Sequence, residues 1–319
     1  MIQLSIIIPF YNVEKYIAQC LDSVVNQDIS LSDYEIICVN DASPDGSREI
    51  VMDYMRRYPN IRLVEHEYNK KLGAARNTGR AVAQGKYIWN VDSDDYIKHN
   101  CLNSLIEMCE REALDILMFD FYHVNGNHEK ENKSRTNITS CCCSGIDFIL
   151  QYSSMIGDFT PVWTQIYRKS FLDSNEIFSP PINVGEDVPF SYKALYLAKR
   201  LKFINQYCYY YRQNNSSISG SVEYNLSAMS LYEKCISCPR YMSIMIKETV
   251  TDSSVWLIYA PIVKYILHWL LEYYSKLDKL EKTKFRNICR RNMWEDKCLF
   301  HYMGKRLAMK HLFRVFNLF

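Results

Sequence analysis

KYIWNVDSDD, residues 86–95, is an apolar run that ends in three carboxylates within four positions, Asp92, Asp94 and Asp95. The run has the β-branched and aromatic content of a strand, and its acids stand where that strand meets solvent. Two carboxylates a few ångströms apart repel by about 1 kcal/mol in water and by several times that in a partly dry site. Such crowding calls for a cation, or it is an ordinary solvated turn. Residues i and i+2 of an extended segment point the same way, so Asp92 and Asp94 can face one ligand while Ser93 turns aside. Mg²⁺ and Mn²⁺ take one or two protein carboxylates and keep positions for substrate phosphates, which suits this spacing.

Upstream, LSIIIPF (4–10), YEIICVN (34–40) and IRLVEH (61–66) are similar runs, and each precedes a helical pattern. Continuous apolar strands alternating with helices are what a parallel sheet covered on both faces requires. In VEKYIAQCLDSVVNQ the residues Val13, Ile17, Leu21 and Val24 fall at helical spacing, and PDGSREIVMDYMRRY repeats it with Ile50, Met52, Tyr54 and Met55. The expected fold class is α/β, a doubly wound, mostly parallel sheet flanked by helices, whose ligands bind outside the carboxyl ends of the strands. That rule gathers Tyr11 and Asn12, Asp41, and Asp92 to Asp95 into one site.

A further strand, DILMFDFYHV (115–124), leads into a polar hairpin or loop at NGNHEKENKSRTN. A helix is expected to start near Asp187 in GEDVPFSYKALYLAKR, and KFINQYCYYYRQNN reads as a strand. Strand signals cease from about Tyr224. The expected division is an α/β domain over 1–223 and a helical C-terminal subdomain over 224–319.

The chain has 319 residues, 48% of them hydrophobic, enough for one large α/β domain and an extension. Its N-terminus has no basic segment, and Pro9 breaks the first apolar run, so no signal peptide is expected and the location predicted is cytoplasmic. The stretch Val255–Tyr274 is interrupted by Pro261, Lys264 and His268 and reads as a buried helix rather than a membrane span. Twelve cysteines read as reduced thiols, because neither CCC at 141–143 nor CISC at 235–238 has ligand spacing with a second pair. From Ala260 onward thirteen Lys and Arg face five Asp and Glu, a surplus of +8, which leaves the first 259 residues at −6.

Several nucleotide motifs are absent. There is no GxxxxGK[ST] loop and no GxGxxG after the first strand, which excludes a Walker-type ATPase and an NAD fold. A calcium loop beginning at Asp92 needs Gly at its sixth place and Glu at its twelfth, where the chain has Ile97 and Asn103.

SIIIPFYNVEKYIAQCLDSVVNQ, EIICVNDASPDGS, NKKLGAARNTGRAVAQGKYIWNVDSDD and GEDVPF resemble, in order and spacing, the donor-binding and catalytic motifs of family 2 glycosyltransferases with the GT-A fold. The resemblance covers about residues 3 to 220. It implies an inverting, metal-dependent transfer from a nucleotide sugar, UDP-linked, to a glycan or lipid-linked acceptor in bacterial cell-surface polysaccharide synthesis. The sugar implied is a hexose or N-acetylhexosamine. By that resemblance Pro9 and Tyr11 pack on the base and ribose, and Asp41 accepts from the uracil ring. Asn69 and Arg76 contact the nucleotide, and Gly73 lets the backbone come close. Asp94 binds Mn²⁺ or Mg²⁺, and Asp92 binds the ribose or the metal. Arg212 and Ser217 close over the phosphates. Asp187 is the general base, with Glu186 near metal or acceptor. Asp95 reads as a cap for the following turn and helix, and Trp163 as a core residue rather than a sugar platform.

The tail KRLAMKHLFRVFNLF sets Arg306, Lys310 and Arg314 at i, i+4 and i+8, a basic amphipathic pattern able to lie on the inner face of the plasma membrane or to pack on a neighbouring helix. Two rival functions differ in class. A sugar nucleotidyltransferase needs a Gly-rich basic loop after the first strand, where PFYNVEKY has no glycine. A non-catalytic nucleotide- or partner-binding module draws only on the tail, and no nucleic-acid partner is expected.

Overall fold

The computed structural model describes residues 1–213, except 127, 136, 137, 139, 181, 183 and 184, and residues 274–292. Its strands are β1 (Leu4–Phe10), β2 (Tyr34–Asn40), β3 (Ile61–Glu65), β4 (Tyr87–Asn90), β5 (Tyr96–Ile97), β6 (Ile116–Asn125), β7 (His128–Glu131), β8 (Cys142–Cys143), β9 (Gln165–Arg168) and β10 (Leu201–Arg212). They form one sheet in the order β3-β2-β1-β4-β9-β6-β10-β5, with β7 beside β6 and β8 beside β10. β1 pairs in parallel with β2 and β4, and β2 with β3. Every residue of β1 and β2 is buried, as two covered faces demand.

Side-chain alternation along β1 sorts two cores. Ile6 and Ile8 join helices α1 (Ile17–Val25), α2 (Ser47–Arg57) and α4 (Leu102–Arg111), while Ile7 joins α3 (Leu72–Val82), α5 (Gly145–Gln151) and α7 (Asp187–Leu197). On α2 Val51 and Tyr54 are buried and Ile50 packs against the same core, whereas Met52 and Met55 are each 36% exposed, so Ile50 and Tyr54 of the expected stripe face inward and Val51 replaces the two methionines.

Beyond β4 the sheet becomes mixed. β9 runs antiparallel between β4 and β6, and β6 and β10 are parallel to each other. The reversal brings the start of β9 to the carboxyl end of β4, where Trp89 Nε1 donates to the Trp163 carbonyl at 2.8 Å. The polar stretch after β6 is a hairpin formed with β7. Trp163 is a core residue, stacked on Tyr209 and Tyr211 and 8% exposed.

Of the expected helical subdomain, the helix Lys279–Asn292 is described, and Leu277 and Phe285 join the α3 and α7 core. The rest of that subdomain, Ser217, the basic tail and the Val255–Tyr274 stretch up to residue 273 lie outside the described residues. Among the described residues no helix is long and apolar enough to cross a membrane, and the cysteines carry free thiols.

Candidate active site

Left-handed backbone marks the rim of the sheet's carboxyl edge. Asn12, Ala42 and Lys71, which follow β1, β2 and the loop after β3, have φ of +56°, +58° and +76°. A non-glycine residue there costs on the order of 1–3 kcal/mol unless its surroundings hold it. For Lys71 the holding group is visible. Asp41, buried at the end of β2, accepts from the Lys70 and Lys71 backbone N–H groups at 2.7 and 2.9 Å. His66 Nδ1–H donates to the same carboxylate at 2.7 Å, and His66 Nε2 shares a hydrogen bond with the Thr78 hydroxyl at 2.9 Å. A carboxylate has about four acceptor positions, so Asp41 retains one, on Oδ2. Its first task is to shape the loop that leads into α3, a task the sequence reading did not see.

Tyr11 is 47% exposed, and Pro9 is buried inside β1, which runs one residue further. Asn69 is half-buried and accepts from Lys71 N–H at 3.2 Å.

Helix α3 carries the residue that organises the acids. Arg76 is 5% exposed, and its guanidinium forks: Nη1 donates to Glu186 Oε1 at 2.6 Å and Nη2 to Asp92 Oδ1 at 2.7 Å. The NVDSDD turn and the GED segment are thereby joined through one cation. Burial alone would lower the Arg76 pKa, but Asp92 and Glu186 raise it above the ordinary guanidinium value. One N–H of each amino group goes to a carboxylate, and Nε–H has no hydrogen-bond partner among the described residues.

The rest of the same helix face holds the chain that leads into GED. A Cβ on Gly73 would lie 2.6 Å from the Pro180 carbonyl oxygen and 3.6 Å from the Glu186 Cβ, so the close approach this glycine permits is to the protein's own 179–186 segment. Asn77 clamps that segment in both directions, donating to the Ser179 carbonyl at 2.9 Å and accepting from Ser179 N–H at 3.0 Å. Arg80 donates to the Ile177 carbonyl and lies over the Phe178 ring. Asn77 and Arg80 escaped the sequence reading. The signal was available in their spacing, since positions 73, 76, 77 and 80 share one helix face.

The three crowded acids have separate fates. Asp92 takes Arg76. Asp95 is 1% exposed, accepting from Arg212 N–H at 2.7 Å and from the Tyr209 hydroxyl at 2.8 Å. It ties the turn to β10 and does not cap α4, because its partners lie over a hundred residues downstream. Burial first, then Asp94 and Asp92, raise its pKa well above the carboxylate range. Asp94 is half-buried on the same turn, and Arg212 Nε donates to its carbonyl at 2.7 Å. The Arg212 guanidinium also bonds Gln19 at 2.8 Å and lies over the rings of Tyr16 and Tyr96.

At the start of α7, Glu186 is 6% exposed and Asp187 half-buried. Burial pushes the Glu186 pKa up, although Arg76 pulls it down. Asp187 is raised to about 7, by burial first and then by the Glu186 charge, with Arg76 opposing. A carboxylate of that basicity can accept a proton near neutral pH.

Among the described residues no three His, Cys, Asp or Glu side chains gather as a metal group. The turn supplies two hard carboxylates, Asp94 and Asp92, with one Asp92 oxygen already on Arg76. That donor set fits a Mg²⁺ or Mn²⁺ ion that completes its shell with substrate phosphates, and does not fit a resident ion caged by protein.

Switched strand order, a rim at the strand ends and acids converging there define a doubly wound α/β domain with a ligand site at the carboxyl edge of its sheet. The chain belongs to glycosyl transferase family 2, whose sequence pattern matches residues 5–174. It is 36% identical over 217 residues to EpsJ of Bacillus subtilis, described as an uncharacterized glycosyltransferase, a match covering 67% of this chain and 62% of that one. It is 34% identical over 224 residues to the poly(ribitol-phosphate) beta-glucosyltransferase of Bacillus spizizenii, covering 70% of this chain but 34% of that protein. The chain therefore matches less than two thirds of either relative's length. The crystal structure of Staphylococcus aureus TarS 1-349 in complex with UDP-GlcNAc superposes with a TM-score of 0.72 at 25% identity, over 90% of this chain and 79% of that one. This fold likeness agrees with the GT-A fold expected from the sequence.

Proposed function

We propose that this chain is an inverting glycosyltransferase that moves a hexosyl or N-acetylhexosaminyl group from a UDP-linked donor to a hydroxyl of a cell-surface glycan or a lipid-linked acceptor. The observation that carries the proposal is the Arg76 fork, which brings Asp92 and Glu186 to one point across 94 residues of sequence. Two solvated acidic turns would have no reason to share a buried cation. The UDP-GlcNAc complex of TarS supports the donor class, and the relative named for poly(ribitol-phosphate) supports a polymer acceptor.

In this reading Pro9 and Tyr11 flank the base and ribose, and the remaining acceptor position of Asp41 takes a ring N–H. Asn69 and Arg76 contact the nucleotide, and Arg212 and Ser217 close over the phosphates. A Mn²⁺ or Mg²⁺ ion held by Asp94 with Asp92 would neutralise charge on the departing diphosphate. Asp187 accepts the proton of the acceptor hydroxyl as that oxygen bonds the anomeric carbon and the bond to the diphosphate breaks. Glu186 and Arg76 keep Asp187 in place and set its basicity.

Calorimetry with UDP tests the reading. Mn²⁺ is expected to tighten UDP binding by about tenfold or more in the native chain and to have no such effect in Asp94→Asn. A chain that binds no UDP with or without Mn²⁺ would overturn it.

A further inference from the structure

The carboxyl ends of β6 and β10 border a cleft that the transfer chemistry above does not use. Its volume is about 540 Å³, within the range of small-ligand sites, and it is lined by His123, Asn125, His128, Lys130, Lys133 and Gln213. Asn132 and Glu131 also line it; the Asn132 side chain is committed to Asp120, and Glu131 offsets one of the two ammonium charges. Every residue of the lining carries a polar or charged group on an aliphatic or aromatic stem, so the wall offers apolar surface to a ring or carbon chain and polar tips to its substituents.

The cleft lies beyond the acids at the same end of β10, and the buried Tyr209 and half-buried Tyr211 on one face of that strand span the interval. The Tyr209 hydroxyl accepts from Asp92 N–H at 3.1 Å and donates to Asp95. Two residues on, Tyr211 stacks on Trp163, with centroids 5.2 Å apart and planes 3° apart, and meets His123 edge-on at 5.9 Å. Two residues further is Gln213, whose N–H donates to the Val124 carbonyl at 2.8 Å. At roughly 3.3 Å per residue, Gln213 stands about 13 Å from Tyr209 along the strand. An acceptor chain with its reacting hydroxyl at the acids can reach that far through its next units.

One buried atom in this region lacks a partner. His123 Nδ1 has no hydrogen bond, an uncommon condition for a buried polar nitrogen. Burial, and then the Lys130 charge, lower the His123 pKa, which leaves a neutral ring able to donate on one side and accept on the other. Amides and a neutral imidazole suit hydroxyl groups, and an exposed ammonium on the hairpin suits an oxyanion.

We propose that this cleft is an acceptor-side subsite for an anionic glycan or polyol chain, in which Lys130 faces an oxyanion and His123, Asn125 and Gln213 face hydroxyls. The inference rests on the transferase reading and narrows its acceptor class. The shared chemistry is an oxyanion beside hydroxyls, whether phosphate or carboxylate.

The test uses the full chain with its seven histidines labelled for NMR, His123 being assigned from the resonance lost in His123→Gln. Glycerol 3-phosphate, glucuronate and uncharged glycerol are added in turn without donor. The expected result is a saturable shift of the His123 signal with at least one anionic probe and none with glycerol. The tighter of the two anions identifies the oxyanion. Lys130→Glu, on the exposed hairpin, should raise the Kd for that probe at least tenfold while UDP binding stays unchanged. Glycerol shifting His123 as strongly as the anions, no shift with any probe, or equal Kd values for Lys130→Glu and the native chain would each overturn the subsite. Because UDP binding is read separately, failure of the cleft is distinguishable from failure of the transferase reading.

Discussion

The two acidic segments solve the same problem of like charge in opposite ways. In NVDSDD the acids are pulled apart: Asp92 goes to Arg76, Asp95 to Tyr209 and the Arg212 backbone, and Asp94 stands half-buried on the same turn. In GED only Glu186 receives the cation, and Asp187 stands beside it with its pKa raised to about 7. One segment gives its acids separate partners, and the other sets two acids side by side with one cation between them and the turn. A single guanidinium on α3 makes both arrangements possible.

The largest effect expected to break this contrast is at Asp187. Asp187→Asn should lower transfer by about 10²- to 10⁴-fold while leaving Mn²⁺-supported UDP binding within about twofold, as removal of a general base does. Single-turnover rates and calorimetry on the same sample check both halves. Turnover near the native rate would remove Asp187 from the base role.

Arg76→Gln strips the cation from two carboxylates, one of them 6% exposed, and is expected to destabilise the fold by about 3–5 kcal/mol in urea unfolding. Adding Glu186→Gln to that variant should recover part of the loss. If the double variant is no more stable than the single one, the fork is not what relieves the repulsion. The smallest effect is at Gly73, where an added methyl meets the Pro180 carbonyl at 2.6 Å. Gly73→Ala should cost about 1–3 kcal/mol and should slow transfer more than it weakens UDP binding, since it displaces the GED segment rather than the nucleotide loop.

Much of this was legible in the sequence because it is local. Strands β1 to β4, the start of α7 at Asp187 and the hairpin after β6 follow from runs of apolar or polar residues a few positions long. What was not legible depends on partners far along the chain. The antiparallel return of β9 depends on the segments before it. Asp95 reads as a cap until Tyr209 and Arg212 are placed beside it. The Glu186 partner of Arg76 and the Pro180 neighbour of Gly73 lie about a hundred residues away, and the local sequence names neither. Asp41 illustrates the same limit, for three of its acceptor positions go to His66, Lys70 and Lys71, and the strand end alone names none of them.

The central claim is that burial beside Glu186 makes Asp187 a base near neutral pH, and the pH dependence of kcat/KM for donor turnover tests it most directly. The base acts as the carboxylate, so a folded pKa of about 7 means that it is protonated and inactive below that value. The predicted profile rises about tenfold per pH unit below 7 and levels above it. A plateau that extends down to the ordinary carboxylate range, near pH 4, would contradict the account.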